Sequence, residues 1–311
     1  MPFKSFVPAP LDQDTYANIF SYISLPLSRD IGHPDLDVVV MGVPFDLATT
    51  GRSGTRFGPT GIRQASSQLR WEEKRWPWTF SLSEQLNAID YGDVVWELGN
   101  AHDMFKVVQE TAESIIEAGN QLVTLGGDHV IALPLIRAHA KHHGPVALLH
   151  FDAHTDNEQD PNPVNHGAMF YHGEKEGVID VAHSVQVGIR TEYNYQTHPF
   201  KVLNADFVNN EGIENTLKEI KTCVGDKPVY LSFDIDCLDP AFAPGTGTPV
   251  MGGLSSNQAL QIIRGLTGLN IIGCDLVEVA PAYDHADVTS LAGATLVLEM
   301  LHVLAANKKD L

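Results

Sequence analysis

Short apolar runs alternate with longer stretches typical of helices along most of this chain. Seven runs have the length and composition of buried strands: 38–43, 86–90, 121–125, 145–151, 184–189, 228–233 and 270–275. Helices are predicted near 59–70, 101–118, 130–143, 212–222, 256–267 and 288–306. Because strands and helices alternate, we predict an α/β fold with a mostly parallel central sheet between helices, a three-layer α/β/α arrangement.

The domain organisation follows from the same pattern. No linker, repeat or low-complexity tract interrupts the sequence, so residues 1–311 are predicted to form a single domain. The chain is 43% hydrophobic, which is enough to bury a substantial core. Residues 1–35 look irregular, and we expect this N-terminal extension to wrap the outside of the domain or to pack on a neighbouring subunit.

The charge of the chain is strongly acidic, with 39 Asp and Glu against 20 Lys and Arg. Such a surface repels nucleic acid and anionic membranes and attracts a cationic substrate, although an ordinary soluble acidic protein would have the same bulk charge. The three cysteines form no Cys-x-x-Cys pair, which argues against a thiolate zinc site. The first residues lack the apolar segment of a signal peptide, and runs such as 38–43 are too short to cross a bilayer, so we expect a cytoplasmic enzyme.

Three short acidic motifs follow predicted strands. They are Gly-Gly-Asp-His at 126–129, Asp-Ala-His-Thr-Asp at 152–156 and Asp-Ile-Asp at 234–236. Residues two apart in a strand point to the same face, so the side chains of each motif can converge. Sites in parallel sheets form beyond the carboxyl ends of the strands, which is where all three motifs lie.

These motifs predict a pair of divalent metal ions. Four carboxylates gathered without cations would repel one another, whereas four Asp charges and two divalent ions sum to zero. The candidate ligands are His129, Asp152, Asp156 and Asp234 for one ion, and Asp152, His154, Asp234 and Asp236 for the other. This oxygen-rich set suits Mn²⁺ better than structural zinc. Asp128 is interpreted as a helix N-cap rather than a ligand.

The same motifs resemble the three signatures of the ureohydrolase family, which includes arginases and agmatinases. The third signature extends to Ser-Phe-Asp-Ile-Asp-Cys-Leu-Asp-Pro at 232–240. Segments at 42–63, 165–171, 243–254 and 275–284 also look like agmatinase segments, so the resemblance covers nearly the whole chain. It implies an arginase-like fold, two Mn²⁺ ions per subunit and assembly as a homotrimer or homohexamer.

The resemblance also implies a reaction, in which a metal-bridging hydroxide attacks the guanidinium carbon of the substrate and releases urea and an amine. His166 matches the histidine proposed to pass a proton to the leaving amine, and Glu278 matches the glutamate that binds the guanidinium group. Asp156 would help to stabilise the tetrahedral intermediate. Thr248 would either hydrogen-bond the substrate or only shape its turn.

The tail of the substrate is not fixed by the resemblance. The loop at 157–165 departs from the patterns of arginases and agmatinases and carries Glu158 and Asp160 without any Lys or Arg. These carboxylates favour agmatine, whose tail ends in a second cation, and would contribute only ~0–1 kcal/mol if they point to water. We therefore expect hydrolysis of agmatine to putrescine and urea.

Three other functions stay open. A guanidinobutyrase or another guanidino acid hydrolase would use the same chemistry with Arg or Lys lining the tail pocket. A zinc-dependent deacylase on the related fold would need one metal and a catalytic Tyr, and the second set of metal ligands argues against it. A metal-binding scaffold without turnover would have no use for His166 and Glu278.

Overall fold

Eight parallel strands form a single sheet in the computed structural model, which describes residues 20–71 and 74–309. The strands are β1 (Val38–Val43), β2 (Ala88–Asp93), β3 (Gln121–Gly126), β4 (Ala147–Phe151), β5 (Val185–Val187), β6 (Lys201–Leu203), β7 (Val229–Asp234) and β8 (Ile271–Val277). Their order across the sheet is β2-β1-β3-β8-β7-β4-β5-β6. The predicted parallel sheet is therefore confirmed.

Helices cover both faces of this sheet. They are α1 (Gly58–Ser66), α2 (Leu82–Gln85), α3 (Ala101–Glu117), α4 (Ala132–His143), α5 (Met169–Glu176), α6 (Ala205–Val224), α7 (Ser256–Gly265) and α8 (Val288–Lys309). Within β1, Val38 and Val40 join one buried apolar cluster, whereas Val39 and Met41 join another. The first cluster includes residues of α1, α6, α7 and α8, and the second includes residues of α3, α4 and α5. This packing on both faces confirms the three-layer prediction.

The pattern of apolar residues missed three short elements, α2, α5 and β6. A strand of three residues or a helix of four or eight residues offers too few positions for a clear period. Helix α6 also begins seven residues earlier than predicted, because the Asn204 side chain accepts a hydrogen bond from the Phe207 N–H and caps it. Gly212 then interrupts the helical backbone with a φ of 79°, close to the predicted start.

The N-terminal extension is described from residue 20 onward, and the part of that prediction covering residues 1–19 lies outside the described residues. Tyr22 is fully buried in the core. Its N–H donates to Asp90 Oδ2 at 2.7 Å, and its hydroxyl donates to the Ala294 carbonyl at 2.8 Å. This part of the extension therefore packs against α8 of the same chain.

Helix α8 has the length and hydropathy of a membrane span, which the prediction from short apolar runs overlooked. The segment Val288–Lys308 contains an 18-residue stretch with a mean hydropathy of 1.6, and it is the one such helix among residues 20–71 and 74–309. However, 78% of this stretch is buried inside the protein. Its composition is that of a core helix, since residues such as Val297 and Leu301 have no exposed surface.

Candidate active site

Four neighbouring strands bring the predicted site residues to one edge of the sheet. Strands β3, β8, β7 and β4 are adjacent, and the acidic motifs stand at their carboxyl ends. Gly127 sets the distance between two of these ends, because its carbonyl accepts the Glu278 N–H at 2.8 Å. A Cβ at Gly127 would lie 2.0 Å from the Phe45 carbonyl oxygen, so only glycine fits there.

Asp128 caps the turn that follows Gly127, as the sequence predicted. Its carboxylate accepts the Val130 N–H at 3.0 Å and the Ala48 N–H at 2.8 Å. The second bond ties the loop after β1 to the same edge of the sheet. Asp128 therefore fixes the start of the turn that presents His129.

His129 faces three carboxylates. Its Nδ1 atom lies 3.1 Å from Asp152 Oδ2, 3.0 Å from Asp156 Oδ2 and 3.3 Å from Asp234 Oδ2. His129, Asp152 and Asp234 are buried, and the Asp156 side chain is 11% exposed. These are the four residues predicted to hold one ion.

A second cluster adjoins the first through Asp152. His154 Nδ1 lies 3.1 Å from Asp152 Oδ1 and 3.2 Å from Asp236 Oδ2. One oxygen of Asp152 therefore belongs to each cluster, which is the arrangement of a bridging carboxylate. Asp234 joins the two clusters a second time, since its Oδ1 accepts the Asp236 N–H at 2.8 Å.

The hydrogen bonds around His129 determine which of its ring nitrogens carries the proton. The Ser232 hydroxyl donates its one hydrogen to Asp275 Oδ1 at 2.8 Å, so its oxygen accepts from His129 Nε2, also at 2.8 Å. The Nδ1 atom then presents a lone pair, and no described residue gives it a hydrogen-bond partner. A lone pair that faces three carboxylate oxygens is repulsive unless a cation lies between them, so the residues present fit a metal ion.

Burial and mutual repulsion perturb the acids of both clusters. Burial raises the pKa of Asp234 well above its usual range, and the charges of Asp236 and Asp152 raise it further. Burial and the charge of Asp152 likewise raise the pKa of Asp236, to about 6. Such perturbed groups gathered at one edge of a sheet are typical of a functional site.

His166 and Glu278 form a third group beside these clusters. His166 Nδ1 lies 3.4 Å from Glu278 Oε1, and Thr50 contacts the other nitrogen, Nε2, with its N–H at 3.0 Å and its hydroxyl at 2.8 Å. Burial lowers the pKa of His166, but the Glu278 carboxylate outweighs it, with help from Asp156 and Asp128, and the pKa rises to about 9. The Thr50 N–H opposes this rise, since it can bond only to an unprotonated Nε2.

The Glu278 carboxylate has one oxygen engaged and one free. Oε1 accepts the His129 N–H at 2.8 Å, whereas Oε2 is buried and has no hydrogen-bond partner within the described part of the chain. Glu278 and Asp156 also both have left-handed backbones, with φ of 64° and 48°. Non-glycine residues adopt this conformation at a cost of about 1 kcal/mol or more, and such residues concentrate at functional sites.

The two acids predicted to face the substrate tail, both in the loop at 157–165, have different surroundings. Glu158 is exposed, and its carboxylate packs on Gly167, next to His166. Asp160 instead organises the loop, since its Oδ1 accepts the Asn162 N–H and its Oδ2 accepts from the Asn165 side chain, both at 2.8 Å. The Asp160 carboxylate is therefore engaged by hydrogen bonds of its own loop, whereas the exposed carboxylate of Glu158 lies beside Gly167.

Thr248 lies at the site, but its hydroxyl contacts a predicted metal ligand. It donates to Asp236 Oδ2 at 3.2 Å. Two roles were considered for Thr248, binding the substrate or only shaping its turn. This bond indicates a third role, which is to orient Asp236.

Several residues that contact the site had not been predicted from the sequence. Thr50 comes from the loop after β1, Gln186 lies in β5 and Ser232 in β7. Thr50 and Ser232 lie in segments that carry the family resemblance, 42–63 and 232–240, but the resemblance assigned them no role, and Gln186 lies in no recognised motif. His150 had a weak signal, because a histidine in the apolar run before Asp152 requires a buried partner.

Comparison with protein families and known proteins gives a consistent result. The model of the Arginase family matches residues 36–302. The agmatinase of Photorhabdus laumondii subsp. laumondii is 53% identical over 298 residues, which cover 96% of this chain and 97% of that protein.

Solved structures also resemble the fold. A hypothetical agmatinase from Burkholderia thailandensis superimposes with a TM-score of 0.92 at 48% identity, covering 96% of this chain and 94% of the other. The proclavaminate amidino hydrolase of Streptomyces clavuligerus superimposes with a TM-score of 0.89 at 36% identity, covering 95% of this chain and all of the other.

Proposed function

The chain belongs to the Arginase family, and from this premise we propose that it is a dimanganese amidinohydrolase that converts agmatine and water to putrescine and urea. The observation that carries the proposal is the position of Glu278. Its Oε1 contacts His166 Nδ1 and the N–H of His129, a proposed metal ligand, while its Oε2 is buried and has no hydrogen-bond partner among the described residues. A planar cation such as a guanidinium group is the ligand that such a carboxylate binds best.

The two clusters support a proposed set of metal ligands. His129, Asp152, Asp156 and Asp234 would hold one ion, and Asp152, His154, Asp234 and Asp236 would hold the other. Oxygen-rich ligation with two imidazoles is the reason for proposing Mn²⁺. When bound, such a pair of ions supplies Lewis acidity and makes water nucleophilic near neutral pH.

The residues around the clusters would position the substrate. Glu278 accepts N–H donors of the guanidinium group and holds its carbon toward Asp156 and the metal ligands. Asp156, which faces His129 in the first cluster, would help to stabilise the tetrahedral intermediate. Thr248 keeps Asp236 in place through its hydroxyl.

Proton transfer is assigned to His166. In the hydrolysis, water adds to the guanidinium carbon, the bond from this carbon to the nitrogen of the tail breaks, and that nitrogen gains a proton. His166 would deliver the proton, because it sits against Glu278 in a partly enclosed position. Its Nδ1, which faces the Glu278 carboxylate, carries a proton even while Nε2 accepts the Thr50 N–H.

The tail pocket is assigned to the loop at 157–165. Glu158 would attract the distal ammonium of agmatine, and Asp160 would support the loop that carries Glu158. The strong negative charge of the whole chain, −19, would also attract a dication.

A guanidino acid hydrolase is the second candidate, and Arg52 is the observation that favours it. Its Nε donates to the Gly247 carbonyl at 3.3 Å, and its guanidinium lies 4.5 Å from the centre of the Tyr283 ring. Gly247 is also next to the Glu278 carboxylate, since a Cβ there would lie 3.3 Å from Oε2. A cation at this position could pair with a carboxylate tail.

Two further properties complete the proposal. We propose that the protein is a cytoplasmic homotrimer or homohexamer, as the family resemblance implies. Light scattering on the purified protein would give the mass of the assembly, and a monomer of 34.0 kDa would contradict this part.

A metal titration tests the proposed centre. Metal-free protein should bind two Mn²⁺ per chain in calorimetry, and agmatine should give urea only after loading. Binding of one ion, or urea release by the metal-free protein, would contradict the proposal. The matched control is Asp236→Asn. The Asp236 carboxylate contacts only the second cluster, so this variant should bind one of the two ions less tightly.

A further inference from the structure

Gln186 is a fully buried polar residue in β5 whose side chain is hydrogen-bonded on three sides. Its Nε2 lies 2.7 Å from the Thr155 carbonyl oxygen and 3.0 Å from His150 Nδ1. Its Oε1 lies 2.7 Å from His198 Nε2. His150 in turn places its Nε2 2.8 Å from Asp152 Oδ2. A continuous chain of hydrogen bonds therefore ends on the bridging carboxylate.

The direction of every bond in this chain is determined. The Thr155 carbonyl can only accept, so the amide nitrogen of Gln186 must face it. The second hydrogen of this nitrogen then goes to His150 Nδ1, which leaves the proton of the ring on Nε2, where it is donated to Asp152. His198 donates to the amide oxygen at the outer end.

Gln186 consequently holds the metal-binding segment in two ways. Thr155 lies between two proposed ligands, so its bond fixes the backbone that presents them. His150 is held in the one neutral form that can donate to Asp152. Both Gln186 and His150 are fully buried, so water cannot replace these bonds without rearrangement.

Resting on the proposed dimetal function, we infer that Gln186 is a positioning residue for the metal centre, acting through His150 on Asp152 and through Thr155 on the backbone of residues 152–156. A carboxylate that already accepts a fixed hydrogen bond is oriented before the metal arrives. Outer contacts of this kind contribute 10–100-fold to metal affinity in other metalloproteins.

The test compares Gln186→Leu with the wild-type protein and with Val185→Ala. Leucine keeps most of the buried volume of Gln186 but forms none of its three bonds. Val185 is also buried in β5, and its truncation provides a loss of stability without a link to the metal ligands. The readouts are Mn²⁺ affinity by calorimetry and the Tm of each metal-free protein.

We expect Mn²⁺ binding to be about 10–100-fold weaker in Gln186→Leu, with Val185→Ala close to the wild-type protein. A Tm loss in metal-free Gln186→Leu with wild-type Mn²⁺ affinity would overturn the inference, because it would indicate a structural role only. Gln186→Met, which keeps an unbranched chain, should weaken binding in the same way, and wild-type affinity in either folded variant contradicts the inference.

The result is separable from the proposed function. Weaker Mn²⁺ binding in the variant, together with no urea from any guanidino compound in the wild-type protein, would uphold the role of Gln186 and reject the reaction. Urea release by the wild-type protein, together with unchanged metal affinity in the variant, would uphold the reaction and reject the role of Gln186.

Discussion

At the scale of single residues, Glu278 connects the strand end, the metal-binding turn and the proposed guanidinium site. Its left-handed backbone aims one oxygen at the His129 N–H and leaves the other free. The sequence position alone cannot reveal this conformation, because it occurs together with contacts to distant residues, such as the bond from the Glu278 N–H to the Gly127 carbonyl. The resemblance to a family motif, rather than spacing, predicted that this glutamate has a role.

Replacing Glu278 by Gln should abolish most of the reaction while sparing the metals. Glutamine can still accept the His129 N–H, but it has no charge for a guanidinium group. We expect kcat/KM for agmatine to fall about 100-fold or more, with two Mn²⁺ retained. Steady-state kinetics and metal analysis on the same sample would check this, and near-normal kcat/KM would reject the proposed role.

Thr50 should matter for turnover through His166. Thr50→Val keeps the N–H that contacts Nε2 but removes the hydroxyl at 2.8 Å, so the ring loses part of its orientation. We expect kcat to fall about 10-fold with little change in KM, because the contact acts on proton transfer rather than on substrate binding. The neighbouring Thr49→Val, whose hydroxyl donates to the Asp46 carbonyl, is the control and should keep its kcat. Equal kcat values in the two variants would contradict the prediction.

Predictability differed sharply among the site residues. The convergence of residues two positions apart at a strand end, such as Asp152 and His154, could be predicted from spacing. Gln186 and Thr50 could not, because their roles depend on strand order and on a loop that returns from another part of the chain.

At the scale of elements, the long strands and helices were predictable, and the short ones were not. Helix α3 agrees with its predicted bounds within one residue, because a 17-residue helix offers several turns of apolar periodicity and an Asn100 cap. Strand β6 has three residues and is recognisable only from its pairing with β5.

Helix α4 contains a histidine that should make stability depend on pH. His139 is fully buried, its Nδ1 donates to the Leu135 carbonyl at 2.8 Å, and its Nε2 faces the backbone of Gly273. Burial lowers its pKa to about 4, whereas an unfolded chain protonates near ~6.5. Between these values only the unfolded state binds the proton, so stability falls as pH falls from about 6.5 to 4, by about 3 kcal/mol in total.

The comparison that isolates this effect is with His139→Asn, which can keep a donor to the Leu135 carbonyl. Chemical denaturation of both metal-free proteins should show that the free energy of unfolding falls more steeply between pH 7 and pH 4.5 in the wild-type protein than in the variant. An equal fall in the two proteins would show that His139 does not titrate as described.

The loop at 157–165 should influence substrate choice only modestly. Glu158→Gln removes an exposed charge, and exposed ion pairs contribute ~0–1 kcal/mol, so KM for agmatine should rise about 2–5-fold with kcat nearly unchanged. Kinetics at low and moderate salt would check this, since the difference should shrink as salt increases. Asp160→Asn is a useful contrast, because it removes an equal charge from a carboxylate that is engaged by hydrogen bonds within the loop.

At the scale of the whole molecule, the order of the strands creates the site. Strands β3, β8, β7 and β4 come from distant parts of the chain, yet they are adjacent and deliver their end residues to one edge. The sequence predicted a parallel sheet and acidic strand ends, but the order of strands depends on packing of helices on both faces and could not be obtained from spacing.

The most direct test of the proposed reaction is urea release by the Mn²⁺-loaded protein with agmatine, arginine, 4-guanidinobutyrate and 3-guanidinopropionate compared side by side. We expect agmatine to have the highest kcat/KM. Preference for a guanidino acid would keep the hydrolysis of a guanidinium group and contradict the assignment of the tail, with Arg52 then the residue to substitute. Urea from none of the four compounds would contradict the proposed hydrolysis itself.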